Sequence, residues 1–293
     1  MSNILLLANL NCDRVLQLDK PLLTGDRHHY KDLGRRLGGG GANTGIGLIL
    51  AGHHAALVSQ IGNDDTADWL LAEASLHGLD CSLLQRNNLV TPELLLLMTP
   101  DKERTIVRPE RPLFELQNQP DFSHWDALYI NSSAVNASVW ANAALPQTLV
   151  VAQLAKDERA RPCHVLITSK SDLEHHQFTN KSDESIWEYA HGIAGPQLRH
   201  FIVTDSEQGA VVYEQNVSIH VPAIPSSVVD TTGAGDTFAA GVIDALLADK
   251  PIIEAINQGA RWAAIAVSTP SSIPGKELKA HILMSSQDVK PAS

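Results

Sequence analysis

Short apolar runs alternate with longer amphipathic stretches along most of this chain, and few folds accommodate that order. Asn3–Ala8 (NILLLA), Ala55–Ile61, Ala127–Asn131, Leu149–Gln153, His164–Thr168 and His200–Thr204 read as strands. Runs this short and this apolar suit strands buried on both faces. Helical patterns occupy Ala42–Ala51, Asp64–His77, Ala134–Ala144, Ser171–Phe178, Ser182–Ala194, Thr237–Ala248 and Ile252–Val267. Asp64 fits an N-cap and Gly78 a C-terminal stop. The alternation predicts an α/β fold, a mostly parallel central sheet flanked by helices on both faces. Some stretches depart from it. Glu93–Met98 and Thr105–Arg108 bracket the polar turn Pro100–Glu103, and Ala210–Glu214 is followed by Val217–Val221, each pair reading as a hairpin. Val15–Asp19 is a short strand candidate, and Gly25–Arg36 is polar.

Composition excludes several function classes. With 44% hydrophobic residues over 293 positions, the chain can build a sizeable core. A formal net charge of −11 argues against nonspecific nucleic-acid binding, which needs a basic surface. It leaves room for a small anion, because such sites rest on local backbone dipoles. Cys12, Cys81 and Cys163 are scattered without CxxC spacing, as in a reduced, cytoplasmic protein. No basic region precedes the first apolar run, so a signal peptide is not expected, and no stretch has transmembrane length. The histidine pairs His28/His29, His53/His54 and His175/His176 are poor chelates, since adjacent helical residues diverge by about 100°.

The chemistry concentrates in Val228–Phe238. A short apolar run stops at Asp230, two threonines follow, and Gly233-Ala234-Gly235 leads to Asp236 where an Ala-rich helix begins. Small residues let backbone N–H groups approach a ligand. A helix start has unpaired N–H groups and holds anions. An acid beside such an anion site can orient a hydroxyl and take its proton, which is what phosphoryl transfer requires. Gly38–Gly41 runs into a helix whose first turn carries Asn43, an amide able to bind sugar hydroxyls; alone, the glycine run reads equally as a flexible turn. It is neither GxGxxG nor a P-loop. Asn11 and Asp13, just after the first strand, suit a polyol or a capped turn. Thr204–Gly209 joins a strand to a hairpin and alone reads as an ordinary turn.

Together these residues resemble the ribokinase-like (PfkB) carbohydrate kinase family over nearly the whole length. DTTGAGDTFAAG, Asp230–Gly241, is similar to its C-terminal signature, and GGGGAN, Gly38–Asn43, to its N-terminal one; Asn11 and Asp13 fit its first substrate contact. The resemblance implies an ATP-dependent kinase acting on a hydroxyl of a small sugar or sugar-like alcohol. Asp236 would be the base and Gly233, Ala234 and Gly235 the anion hole. Asn11, Asp13, Gly39 and Asn43 would bind substrate, and Thr204, Gly209 and Thr232 the nucleotide. Mg²⁺ would sit near Glu174, and a monovalent cation such as K⁺ near Asp230. Residues 1–12, 38–88 and 110–293 would form the core, and 13–37 and 89–109 a β lid that can build a homodimer. The partners expected are sugar and ATP, with no nucleic acid and no membrane.

Departures from the family pattern are equally specific. Ser171 replaces the Asn of NxxE, and Ser206 replaces a Gly in the TxGxxG strip. Gly40 stands where ribokinases often carry Lys, Asn131 and Ser132 where they carry a sugar-binding Glu, and Ser268–Ser272 is shorter than their cation loop. These argue against ribose itself. A nucleoside kinase on the same fold is the nearest alternative, with Tyr30 as the one aromatic of the first lid segment. A non-catalytic sugar- or nucleotide-binding protein is another. Arg104, Arg108 and Arg111 admit a phosphorylated sugar, although a solvated hairpin edge is the preferred reading. A carboxylate at a helix N-terminus is expected to stay ionised and weakly basic at Asp236.

Overall fold

The computed structural model describes residues 1–101, 103–110, 112–157, 159–176, 181–215 and 217–287. Its strands are β1 (Asn3–Ala8), β2 (Asn11–Leu18), β3 (Tyr30–Gly38), β4 (His54–Val58), β5 (Gln60–Ile61), β6 (Gln85–Arg86), β7 (Glu93–Met98), β8 (Arg104–Val107), β9 (Ala127–Asn131), β10 (Leu149–Gln153), β11 (Val165–Ser169), β12 (His200–Thr204), β13 (Ala210–Glu214) and β14 (Val217–Val221). Its helices are α1 (Gly40–Leu50), α2 (Asp65–Leu76), α3 (Ala137–Ala144), α4 (Lys170–His175), α5 (Asp183–Ala194), α6 (Ala234–Leu247), α7 (Ile252–Val267) and α8 (Lys276–Gln287).

An eight-stranded sheet in the order β14-β13-β12-β11-β10-β9-β1-β4 forms the centre, parallel except at the β12-β13-β14 edge. Strand periodicity explains why both of its faces are covered. In β1, Ile4 and Leu6 join Tyr129 and Ile202 under α1, α6 and α7, whereas Leu5 and Leu7 join Ile130 and Phe201 under α3 and α5. The apolar runs are unbroken because each strand feeds two cores.

A second sheet, β3-β2-β7-β8, stands apart from this one and is drawn from residues 11–38 and 93–107. Asn11 and Asp13 therefore lie on strand β2 and not in a turn: β2 pairs with β3 and β7 from Asn11 and Cys12 onward. Strand β3 was invisible to hydrophobic pattern because its first seven residues are exposed. Helix α3 starts at Ala137, three residues later than expected, because Asn136 adopts φ 69, which a helix interior excludes. The end of the helix expected to reach Phe178, the turn residue Lys102, and Arg111 lie outside the described residues.

Helices α6 and α7 cross closely at Gly241 and Gly259. A Cβ on Gly241 would lie 2.8 Å from the Gly259 Cα and 3.1 Å from the Trp262 ring. Gly241→Ala should therefore destabilise the chain by ~1–3 kcal/mol through overpacking, read as a lower midpoint in urea at unchanged slope.

Candidate active site

The site lies beyond the carboxyl ends of the parallel strands, where open α/β sheets bind ligands. A cavity of about 770 Å³ opens there. Its floor is the end of the central sheet with the first turns of α1 and α6, and the second sheet roofs it with Leu94, Leu96, Arg104 and Ile106.

Asp236 sits on the floor in the first turn of α6. Gly233 caps this helix in the left-handed region at φ 76, a conformation that favours glycine. A side chain there would also strike the Ser272 carbonyl and approach Asn43. The first bond of the i→i−4 ladder is Thr237 N–H to the Gly233 carbonyl, 2.9 Å, so the N–H groups of Gly235 and Asp236 precede it. Gly235 lines the cavity, with nothing within 4 Å of the place a Cβ would take. An anion can thus reach bare backbone.

Both carboxylate oxygens of Asp236 are oriented. Asn43 Nδ2 donates to Oδ2 at 2.9 Å and Asn131 Nδ2 to Oδ1 at 3.1 Å, while Thr44 Oγ1 donates to the Asp236 carbonyl at 3.1 Å. Burial pushes the Asp236 carboxyl above the usual range, and the two amide bonds offset this in part. This corrects the expectation of a weakly basic carboxylate: desolvation outweighs the helix terminus. Gly40 packs into the same cluster. A Cβ there would strike Asn131 Nδ2 and lie 3.0 Å from Asp236 Oδ1. Two departures from the family pattern, Gly40 and Asn131, are therefore neighbours. Gly40→Ala should displace the Asn131 amide and lower kcat by roughly 10-fold, the worth of one hydrogen bond to a charged group, while the melting temperature holds.

Asp13 faces Asp236 across the cavity from β2. It is 6% exposed, and its Oδ1 has no hydrogen-bond partner among the described residues. Burial pushes its pKa up to about 6 against the opposing pull of Arg104 and Arg36. Asn43 Oδ1 is likewise buried and unpartnered. Two acceptor atoms without donors, in a polar cavity, match hydroxyl groups of a bound molecule. Gly39 turns the chain from β3 into α1 at φ 90, where a Cβ would strike the Asn9 carbonyl.

The structure brings most of the sequence-derived candidates to this one cavity: Asn11 and Asp13 from β2, Gly39 at the turn into α1, Asn43 bonded to Asp236 on the floor, and Thr204, Thr232, Gly233 and Gly235. Ala234 is in the same turn as Gly235. Besides Ala234, three candidates are not among the described residues of its wall. Gly209 turns β12 toward β13 and packs against the backbone of Val221 and Ala223. Glu174 is exposed on α4; Asp172, two residues earlier and so about 200° around the helix, lines the cavity in its place. Asp230 lies behind Thr232, whose N–H and Oγ1 donate to its Oδ1 at 2.8 and 2.5 Å. Arg104 Nη1 is 3.4 Å from the same oxygen. Arg104 is thus no solvated hairpin edge; it reaches from β8 into the cavity. Asn131 was missed as a partner of Asp236 because no spacing in the sequence links it to the signature.

Among the described residues no three His, Cys, Asp or Glu side chains could hold a metal together. Magnesium rarely needs such a cage; it keeps waters and rides on substrate phosphates with one or two carboxylates. Asp172, with Ser169 Oγ 3.0 Å from its Oδ2, fits that role. No helix among the described residues is long and apolar enough to cross a membrane.

A cleft with an oriented carboxylate, an open helix N-terminus and unpartnered polyol-binding atoms defines a phosphotransferase architecture. The chain belongs to the pfkB family of carbohydrate kinases, whose model matches residues 1–278. It is similar to a fructosamine kinase of Bacillus subtilis, at 23% identity over 241 residues, 78% of this chain and 82% of that one. Its fold is that of Arabidopsis thaliana ribokinase complexed with ribose and ATP: TM-score 0.79, 20% identity, 96% of this chain and 98% of that one. An adenosine kinase from Sinorhizobium meliloti superposes at TM-score 0.78 with 18% identity, over 97% and 99% of the two chains.

Proposed function

We propose that this kinase transfers the γ-phosphoryl group of ATP to a hydroxyl of a small sugar or sugar-like alcohol. Asp13, Asn43 and Asn11 bind the acceptor's hydroxyls. One hydroxyl lies against Asp236. Its oxygen forms a bond to the γ-phosphorus as the bond from that phosphorus to the β,γ-bridging oxygen breaks; the proton passes to Asp236, and ADP leaves. The N–H groups around Gly233–Gly235 hold the charge of the moving group. Magnesium, when bound with the nucleotide, would neutralise its phosphates near Asp172. Residues 13–37 and 89–109 act as a lid whose closure excludes water. Arg104 supplies positive charge at Asp230, which weakens the case for K⁺ there.

One observation carries this reading: the Asp236 carboxylate and the open first turn of α6 share a cavity with the unpartnered oxygens of Asp13 and Asn43. The roof supports the choice of acceptor class. Tyr30 is 61% exposed and absent from the wall, and the described second-sheet residues that line the cavity are Asn11, Asp13, Leu94, Leu96, Arg104 and Ile106. A nucleobase has no aromatic from the lid to stack on, which favours a sugar over a nucleoside. A side cavity of about 210 Å³ shares Asn11, Ser132 and Arg108 with the main one and gives room for a larger acceptor.

A coupled ADP-release assay tests this. The panel includes monosaccharides, extended and phosphorylated sugars, and nucleosides, with ATP alone as the blank. Acceptor-dependent ADP with a sugar supports the proposal, and activity confined to nucleosides contradicts it. Binding of both ligands without product would restore the non-catalytic reading.

A further inference from the structure

Arg161 plays no part in the reading above, and its surroundings are unusual. It lies in the connection between β10 and β11, residues 154–164, whose described residues form no helix. Its backbone N–H donates to the Ile193 carbonyl at 2.8 Å, and that of Cys163 to Ala194 at 3.2 Å, which pins the segment to the end of α5. Arg161 is only 3% exposed and is part of the cavity wall. Nε and Nη1 are buried without a hydrogen-bond partner among the described residues. Burial pushes its pKa down to about 10, so it remains charged at neutral pH. The nearby acid, Asp157, is held by Arg159 Nε at 2.6 Å.

A buried guanidinium with idle donors is unfavourable unless an anion meets it. Its planar fork matches a phosphate or a carboxylate. Topology selects between the two substrates. Acceptor contacts come from β2 and α1, beside β1, while Thr204 ends β12; β10 and β11 lie between them in the sheet. The arginine thus lines the same cavity as Gly235 and Asp236, from the connection of two strands that lie between the acceptor side and Thr204, where a group passing from nucleotide to acceptor would cross. We propose that Arg161 binds the terminal phosphate of the nucleotide from the side facing the Gly233–Gly235 amides. This rests on the kinase reading and adds a second, side-chain wall to its anion site.

Calorimetric binding of AMP-PNP and of ADP to the full chain, wild type against Arg161→Gln, tests the assignment. AMP-PNP should bind the variant ~10–100-fold more weakly, as expected when hydrogen bonds to a charged group are lost. ADP affinity should change less than about threefold, and the ligand-free melting temperature should hold or rise, since an unmatched buried charge has been removed. Arg161→Lys, which keeps charge without the fork, should recover only part of the affinity. Equal losses for both nucleotides, no loss for either, a variant that melts markedly lower without ligand, or a defect confined to acceptor KM would each overturn the assignment. If wild-type protein binds neither nucleotide, the kinase reading fails with it; if it binds both and only the variant contrast is missing, the kinase reading stands.

Discussion

Asp236→Asn should fold normally and lose turnover by ~10²–10⁴-fold, the range general-base assistance supplies. The substitution is nearly isosteric, so α6 and its open N–H groups keep their geometry. What changes is chemical. The amide cannot take the acceptor's proton, and it has one oxygen where the carboxylate presents two to Asn43 and Asn131. Stability should move the other way. Burial raises the Asp236 pKa in the folded chain, so folding favours the protonated acid. That contribution is fully present below the ordinary carboxylate range and is lost as pH rises through the raised value. The Asn variant is neutral throughout. It should therefore melt at or above wild type at pH 7 to 8, with the difference fading on acidification. For the same reason, the acid limb of the wild-type kcat/KM profile should lie above the usual carboxylate range. Unchanged turnover in the variant would remove Asp236 from the chemistry.

Asp13→Ala should raise the acceptor KM by ~10²-fold, the worth of strong hydrogen bonds to a charged group, with kcat changed only a few-fold. The unpartnered Oδ1 is the reason: the group is desolvated in the free protein and gains its donors only from the acceptor. With a folded pKa of about 6, Asp13 should lose acceptor affinity as pH falls through that value, so the wild-type KM rises below pH 6 and that of the variant stays flat. Its ionised form also opposes folding, because burial holds the folded pKa above that of a solvated carboxylate. Ligand-free Asp13→Ala should then be the more stable protein at pH 7, with the gap closing as pH falls toward the unfolded pKa. Saturating acceptor should reverse that order. Michaelis constants measured between pH 5 and 8, with melting curves at both ends, separate these outcomes.

The parts of the fold that the sequence disclosed are those where one strand feeds two cores. β1, β9 and β10 read cleanly because both faces are apolar. β3 did not, since its exposed residues carry no alternation that a core would impose. Helix α8 was also missed: it is polar along most of its length, and Leu278 is the one fully buried anchor among its described side chains. In the site, the glycine-rich signatures pointed to Asp236 and Asn43 because close backbone approach restricts which residues fit. The amide of Asn131 and the guanidinium of Arg161 carry no local constraint; only the tertiary fold brings Asn131 to Asp236 across 105 positions. Thr204 and Gly209 looked equivalent in sequence, yet the short 3-10 turn at Ser206–Gln208 carries the glycine away from the cleft.

The most direct test is a structure of the chain with AMP-PNP and an accepted sugar bound together. The sugar hydroxyl that is phosphorylated should lie ~2.6–3.2 Å from an Asp236 carboxylate oxygen. Its oxygen should stand ~3–3.5 Å from the γ-phosphorus, with the Gly233–Gly235 amides directed at the γ-phosphate oxygens. A reacting hydroxyl that contacts a different base, or a γ-phosphate seated away from the first turn of α6, would contradict the convergence of acid and anion site on which the kinase reading depends.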